Sequence, residues 1–103
     1  MYASYIKESY NREYRENEFG FITWQVKDGN CIINTLYIKP EFRASGKGSE
    51  LANIAAEQSE CKTLLCEIDV RSATYLQAFK AITKYGFKPL DLYGTYLVLS
   101  KEL

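Results

Sequence analysis

Alternating and continuous apolar stretches along the chain predict five β-strands. Residues 19–27 (FGFITWQVK) put apolar side chains on both faces, which is typical of a strand inside a sheet. The Asp-Gly pair that follows predicts a tight hairpin turn, and residues 31–38 then return as an antiparallel strand that ends before Pro40. Further strands are predicted over residues 63–70, 87–93 and 95–100, the last two as a hairpin around Gly94.

Two segments in the middle and second half of the chain have the helical period. From Ser49 to about Cys61, apolar positions recur at helical spacing on one stripe, which contains Leu51, Ile54, Ala55 and Gln58. Residues 72–85 form the other helix, with Ser72 as its N-cap and Gly86 as the residue that ends it. Its predicted buried stripe contains Tyr75, Phe79 and Ile82, with Leu76 and Ala78 beside them.

The first eighteen residues predict an amphipathic N-terminal helix. Within residues 4–17, apolar and tyrosine side chains fall near helical spacing: Tyr5, Ile6, Tyr10, Tyr14 and Asn17. We expect this tyrosine edge to pack on the sheet. The charged side chains at positions 12, 13, 15 and 16 would face water.

A strand–helix–strand order over residues 31–70 implies a crossover and one parallel strand pair. The predicted fold class is therefore α/β (α+β): a mixed, mostly antiparallel central sheet with one parallel pair and flanking helices. A chain of 103 residues allows a single domain. We divide it into the N-terminal helix (1–18), a strand, loop and helix region (19–60) and a second half (61–103).

Composition excludes several classes of protein. Thirteen basic residues balance thirteen acidic ones, so no basic field is available for general nucleic-acid binding. No apolar run approaches the roughly 18 residues of a membrane span. The N-terminal residues lack the apolar core of a signal peptide, so a cytoplasmic location is expected.

The three cysteines are predicted to be reduced and largely buried, since Cys31 and Cys66 occupy apolar strand patterns and an odd number cannot pair completely. The chain contains no histidine and no Cys-x-x-Cys, so no metal site is expected. The absence of histidine also removes the commonest general base.

A short basic, glycine-containing loop joins the strand at 31–38 to the helix that follows. In this loop, RASGKG at 43–48, Gly46 and Gly48 carry no Cβ, while Arg43 and Lys47 add positive charge. Backbone amides at the start of a helix, together with the helix dipole, favour an anion such as phosphate or pyrophosphate. The alternative is an ordinary strand-to-helix connection with a solvated basic tip. Neither the Walker pattern nor the dinucleotide GxGxxG pattern fits these residues.

Arg-x-x-Gly-x-Gly directly after a strand ending in LYIKP resembles the acetyl-coenzyme A loop of the GCN5-related N-acetyltransferase (GNAT) family. The later segment AFKAITKYGFK is similar to the family's second helix, which ends in a Gly-Phe pair. The resemblance covers about residues 19–99 and implies that the parallel strands splay apart, with the pantetheine arm of acetyl-CoA between them. It assigns the loop amides of residues 44–49 and the Arg43 side chain to the pyrophosphate: Ala44, Ser45, Gly46, Lys47, Gly48 and Ser49. A strand amide from Leu36, Tyr37 or Ile38 would polarise the thioester carbonyl.

The candidate catalytic groups depart from the family pattern. The family's usual tyrosine, four residues before the Gly-Phe glycine, is replaced by Ile82, and its usual asparagine by Tyr75. Tyr75 or Tyr85 could supply the missing general acid, although core packing is the alternative role for both. Glu67 and Asp69 lie on one face of a predicted interior strand and are the remaining base candidates; otherwise they meet water or are structurally paired.

The resemblance implies a compact, acetyl-CoA-dependent N-acetyltransferase, an acyltransferase that acts on a primary amine of a protein or a small molecule. The short N-terminal region would leave the acceptor pocket shallow or completed by another chain, as in a homodimer. One alternative is a catalytically weak binding module that blocks a protein partner. Another is a phosphate binder that prefers ATP to acetyl-CoA.

Overall fold

The computed structural model describes all residues, 1–103, and contains six strands and three helices. The strands are β1 (Glu13–Glu16), β2 (Gly20–Lys27), β3 (Asn30–Ile38), β4 (Thr63–Asp69), β5 (Lys88–Tyr93) and β6 (Tyr96–Glu102). The helices are α1 (Tyr2–Tyr10), α2 (Lys47–Ser59) and α3 (Tyr75–Lys84), and a 3₁₀ turn covers Pro40–Phe42. None of the three helices is long and apolar enough to cross a membrane.

The strands form one sheet in the order β1-β2-β3-β4-β6-β5. Only β3 and β4 are parallel, and every other neighbouring pair is antiparallel. The β2–β3 turn has positive φ at both Asp28 (54°) and Gly29 (80°), which is the conformation of a two-residue hairpin turn. The predicted mixed sheet with a single parallel pair is therefore confirmed.

The hydrophobic core lies between the sheet and α2. The fully buried side chains of β2, β3, β4 and β6 form one cluster with those of this helix, and Trp24 of β2 also donates from Nε1 to Ser59 Oγ at 2.8 Å. The helix buries Gly48, Leu51, Ala52, Ala55 and Ala56. Gln58, predicted to lie on the buried stripe, is exposed. The buried stripe contains Ala52 and Ala56 instead.

The second half of the chain has a shorter helix than predicted. Helix α3 begins at Tyr75 and not at Ser72, because Ser72 forms a separate turn in which its carbonyl accepts from the Tyr75 amide at 3.1 Å. Leu76, expected beside the buried stripe, is 65% exposed. The end of the helix is as predicted: Gly86 has φ 98°, and the Phe87 amide donates back to the Ile82 carbonyl at 3.3 Å.

The predicted N-terminal helix over residues 4–17 is wrong in its second half. Helix α1 ends at Tyr10, the chain turns at Asn11 (φ 55°), and residues 13–16 form β1 at the edge of the sheet. Tyr14, which fits helical spacing with Tyr10, belongs to this strand and stacks on Phe21 with ring centroids 5.7 Å apart. Backbone pairing with β2 prevails over the local helical period, and only Ile6 of α1 is buried.

The expectation of three reduced cysteines is also wrong. Cys31, at the start of β3, and Cys61, between α2 and β4, form a disulfide with a Cα–Cα distance of 5.8 Å. The fold brings them together because α2 packs across β3 and returns the chain to the strand's first residues. Cys66 is the one free cysteine, and it is buried.

Candidate functional site

The parallel strands β3 and β4 separate halfway along their length. Their backbones pair from Asn30 with Thr63 to Ile33 with Cys66 and do not pair beyond that point. We call the gap between the two strands after this last pair the fork. The neighbouring β2–β3 ladder changes register at the same place, which leaves Asn34 as an extra residue in β3. A bulge bends and twists its strand, so Asn34 accounts for the divergence of β3 from β4.

A cavity of about 780 Å³ occupies the fork. Side chains that face α2 line one part of it, including Leu36, Ile38 and Ile68. Side chains on the other face of the sheet, which we call the open face, line the remainder, including Tyr37 and Glu67. The cavity therefore connects the α2 side of the sheet with the open face, and a molecule can enter it from either side.

The loop before α2 presents six consecutive backbone amides without a partner. None of the N–H groups of residues 44–49 donates to a backbone or side-chain acceptor, and the first helical bond is from the Glu50 amide to the Gly46 carbonyl at 3.1 Å. Two residues in the left-handed region, Ala44 (φ 61°) and Gly46 (φ 82°), turn the loop into the helix. These unpaired amides lie at the N-terminus of a 13-residue helix, an arrangement that favours negative charge.

Gly48 lies where this loop meets the fork. A Cβ at Gly48 would be 3.5 Å from Leu36 Cδ2, 3.6 Å from Tyr85 Cε2 and 3.8 Å from Ile38 Cγ1. These are ordinary contact distances, so an alanine would fit the unliganded protein. It would, however, fill the space between α2, the end of β3 and the Tyr85 ring.

The two basic side chains of the loop are held by neighbouring groups. Arg43 donates from Nε to the Ile38 carbonyl at 2.8 Å, and its guanidinium lies 5.7 Å from the centroid of the Tyr37 ring. Lys47 Nζ lies 4.3 Å from the Phe19 ring centroid and 3.5 Å from Glu50 Oε1. Both residues line the cavity, as do Ala44, Gly48 and Ser49. Ser45, whose hydroxyl donates to the Phe42 carbonyl, and Gly46 form the outer part of the loop.

Of the three strand amides predicted to face the cofactor, two point to the fork. The Lys39 amide donates to the Phe19 carbonyl at 2.8 Å, so it faces β2. Because amides alternate in direction along a strand, the Tyr37 amide also faces β2, whereas the Leu36 and Ile38 amides face the side that β4 has left.

The two carboxylates of β4 differ in their surroundings. Glu67 is exposed, lines the cavity and has no ion-pair partner. Asp69 accepts from the Arg71 amide at 2.9 Å and lies 3.3 Å from Arg71 Nε. These hydrogen bonds hold the pKa of Asp69 below its usual value. The one from the Arg71 backbone amide has the larger effect, and the one from the guanidinium has the next largest. The structure therefore leaves Glu67 as the unpaired carboxylate at the fork.

The two candidate tyrosines lie in different environments. Tyr85 follows the last turn of α3 and lines the cavity, with its ring next to Gly48. Tyr75, at the start of α3, packs against the core with its ring 5.9 Å from that of Phe79 and does not line the cavity. Ile82, at the family's tyrosine position, does line it.

Two further residues at the fork were not among the predicted site residues. Asn34 is the bulged residue, and its side chain lines the cavity with Oδ1 buried and without a partner. Cys66 is the last residue of β4 that pairs with β3, and it also lines the cavity; burial raises the pKa of its thiol to about 12, so it stays protonated near neutral pH. A bulge depends on the register between two strands, which a single sequence does not reveal.

Comparison with known proteins identifies the fold. No protein-family model matches the sequence, and a sequence comparison with curated proteins finds no match. Among solved structures, PaiA N-acetyltransferase from Thermoplasma acidophilum in complex with coenzyme A has a TM-score of 0.70 at 22% identity. That similarity covers 82% of this chain but only 54% of the Thermoplasma protein.

Two other acetyltransferase structures cover nearly the whole chain. Campylobacter jejuni N-acetyltransferase PseH, in complex with acetyl coenzyme A, has a TM-score of 0.72 at 18% identity, and the similarity covers 96% of this chain and 73% of the Campylobacter protein. A Bacillus subtilis acetyltransferase in complex with CoA has a TM-score of 0.66 at 13% identity, and that similarity covers 97% of this chain and 83% of the Bacillus protein. The chain therefore has the fold of the GNAT acetyltransferases, as its loop motif implied.

Proposed function

We propose that this protein is an N-acetyltransferase that moves the acetyl group of acetyl-CoA to a primary amine. The observation that carries the proposal is the position of the six unpaired amides of residues 44–49 directly beside the fork. A diphosphate bound at these amides would direct an extended pantetheine arm into the space between β3 and β4. Structural neighbours crystallised with coenzyme A or acetyl coenzyme A support this choice of cosubstrate.

The residues present suit such a ligand. Unpaired amides and the cationic side chain of Arg43 would bind the diphosphate, and the absence of a side chain at Gly48 leaves room for the arm. The Leu36 and Ile38 amides have lost their strand partner and would donate to acceptors of the arm. When bound, acetyl-CoA supplies an acetyl thioester with a good leaving group.

Each step of the transfer has a candidate group at the fork. An amide of β3, from Leu36 or Ile38, would polarise the thioester carbonyl as negative charge develops on its oxygen. The acceptor would arrive as an ammonium and lose one proton before its nitrogen forms a bond to the carbonyl carbon; the carbon–sulfur bond would then break and the nitrogen would lose a second proton. Glu67 would accept the first proton, directly or through water, and the second would reach the leaving thiolate through the Tyr85 hydroxyl.

The first experiment measures ligand binding by thermal shift with acetyl-CoA, CoA and ATP. We expect acetyl-CoA and CoA to raise the melting temperature more than ATP does, and Arg43→Ala to reduce that effect. A stronger effect of ATP would favour a different phosphate ligand. Release of free CoA in the presence of a panel of primary amines then tests transfer; binding without release would indicate a module that no longer catalyses.

A further inference from the structure

Asn34 and Glu67 are the first residues of β3 and β4 beyond the last strand pair, so they lie on the two sides of the fork. Both side chains line the cavity. Glu67 projects to the open face, because its neighbours Cys66 and Ile68 belong to the core on the α2 side. Asn34 reaches the same face, since its amide nitrogen donates to Gln25 Oε1, and Gln25 alternates with the core residue Trp24.

The side-chain amide of Asn34 is oriented by one contact and unsatisfied at the other end. Nδ2 donates to Gln25 Oε1 at 3.4 Å, which leaves Oδ1 as the free end. Oδ1 is buried and has no hydrogen-bond partner in the protein. A buried acceptor without a partner is unfavourable, and a donor on a bound ligand would relieve it.

Glu67 presents the other free acceptor at this point. Of the two carboxylates that line the cavity, Asp69 is engaged with Arg71, whereas Glu67 has neither an ion-pair nor a hydrogen-bond partner among the side chains. The open-face mouth of the fork therefore carries two acceptors, one neutral and one anionic. A ligand that satisfies both must offer at least two donors on one small group.

We propose that Asn34 is a positioning residue for the acceptor amine, which it holds together with Glu67. This inference rests on the proposed acetyl transfer and adds to it the residue that orients the amine, which would enter from the open face. A primary ammonium has three N–H donors and retains two after it loses one proton to Glu67. Asn34 Oδ1 would accept from one of these and hold the nitrogen lone pair towards the thioester carbon. An alcohol has a single donor, so it cannot satisfy Glu67 and Asn34 together, whereas a secondary amine keeps one N–H for Asn34 after losing a proton.

The test compares Asn34→Leu, Asn34→Asp and a matched control, Asn30→Leu, which makes the same change at the start of β3, outside the cavity. Acetyl-CoA affinity is measured by calorimetry, and acetyl transfer is measured with butylamine and butanol. We expect Asn34→Leu to raise the KM for butylamine about tenfold or more, with acetyl-CoA affinity retained. Asn34→Asp keeps the acceptor oxygen and should largely restore the KM, and Asn30→Leu should not change it.

The selectivity of the wild type gives a second readout that a purely structural bulge would not move. Butylamine should be preferred to butanol, whose single O–H cannot satisfy both acceptors, and Asn34→Leu should narrow that preference by raising the KM for butylamine alone. Equal KM values for all variants, or an unchanged preference in Asn34→Leu, would overturn the role of Asn34 while leaving acetyl transfer intact. Failure of the wild type to bind acetyl-CoA would overturn the proposed function and this inference with it.

Discussion

Ile33 of β3 and Cys66 of β4 are the last residues that hold the two parallel strands together, and the bulged residue Asn34 follows Ile33 directly. The bulge changes the direction of β3 at that point, and the cavity begins there. On the α2 side, the same strand leads into the loop with unpaired amides. One local irregularity in β3 thus places the gap in the sheet beside the loop with unpaired amides.

Gly48→Ala should separate cofactor binding from folding. An alanine is a better helix former than glycine by roughly 0.5–1 kcal/mol, and its Cβ would meet only ordinary contacts, so the free energy of unfolding should stay equal or rise. The same Cβ fills the space beside Leu36 and Tyr85, so acetyl-CoA affinity should fall about tenfold or more. Urea unfolding and calorimetry measure the two effects, with Glu57→Ala on the exposed side of α2 as control. Undiminished affinity would remove Gly48 from the cofactor site.

Tyr85→Phe should slow acetyl transfer without a matching loss of acetyl-CoA affinity, because it removes only the hydroxyl proposed to protonate the thiolate. General acid catalysis contributes about a hundredfold or more, which sets the scale of the expected fall in kcat. Tyr75→Phe is the matched control, since Tyr75 packs on Phe79 away from the cavity. A larger loss in Tyr75→Phe than in Tyr85→Phe would reverse the assignment.

The Cys31–Cys61 disulfide should contribute to stability, since it closes a loop with a sequence separation of 30. The chain-entropy model gives roughly 3–4 kcal/mol for a loop of this length. Urea unfolding with and without a reductant measures the difference, and Cys31→Ser should reproduce the effect of reduction. Cys66→Ser controls for the free thiol. If reductant leaves the unfolding midpoint unchanged, the bond either does not form or does not stabilise the fold.

Arg71→Ala should raise the pKa of Asp69 towards its ordinary value. The Arg71 side chain is one of the groups that lower the pKa of this carboxyl, although the amide of residue 71 would remain as a donor. A carboxyl with a lowered pKa in the folded state adds stability above its unfolded pKa of about 3.9. That contribution is lost as the pH falls through the folded-state pKa, so the wild type should lose it at lower pH than the variant does. Carbon-detected NMR titration of the Asp69 carboxyl measures both pKa values; identical values would show that the guanidinium has no effect.

Much of the sheet and the loop could be predicted because their signals are local. Alternating side chains indicate β2 and β3, Asp28 and Gly29 indicate their turn, and the glycines after Arg43 indicate a loop with accessible amides. These features depend on the conformational preferences of a few neighbouring residues. The same preferences also predicted the end of α3 at Gly86.

The features that were missed depend on partners distant in the sequence. Tyr14 fits a helical period with Tyr10, and only pairing with β2 makes it part of a strand. The Asn34 bulge exists because two strands change register, and the Cys31–Cys61 bond exists because α2 crosses the sheet. Among the candidate site residues, local spacing could not decide between Tyr75 and Tyr85, because the choice depends on how α3 packs on the core.

The most direct test of the central claim is a titration of ¹⁵N-labelled protein with CoA, followed by amide NMR. We predict that the largest chemical-shift changes fall on the amides of residues 44–49 and on those of Leu36 and Ile38, with smaller changes at Tyr37, whose amide faces β2. Saturable shifts confined to other parts of the sheet, with the amides of residues 44–49 unaffected, would contradict the proposal that this loop and the fork bind the cofactor together.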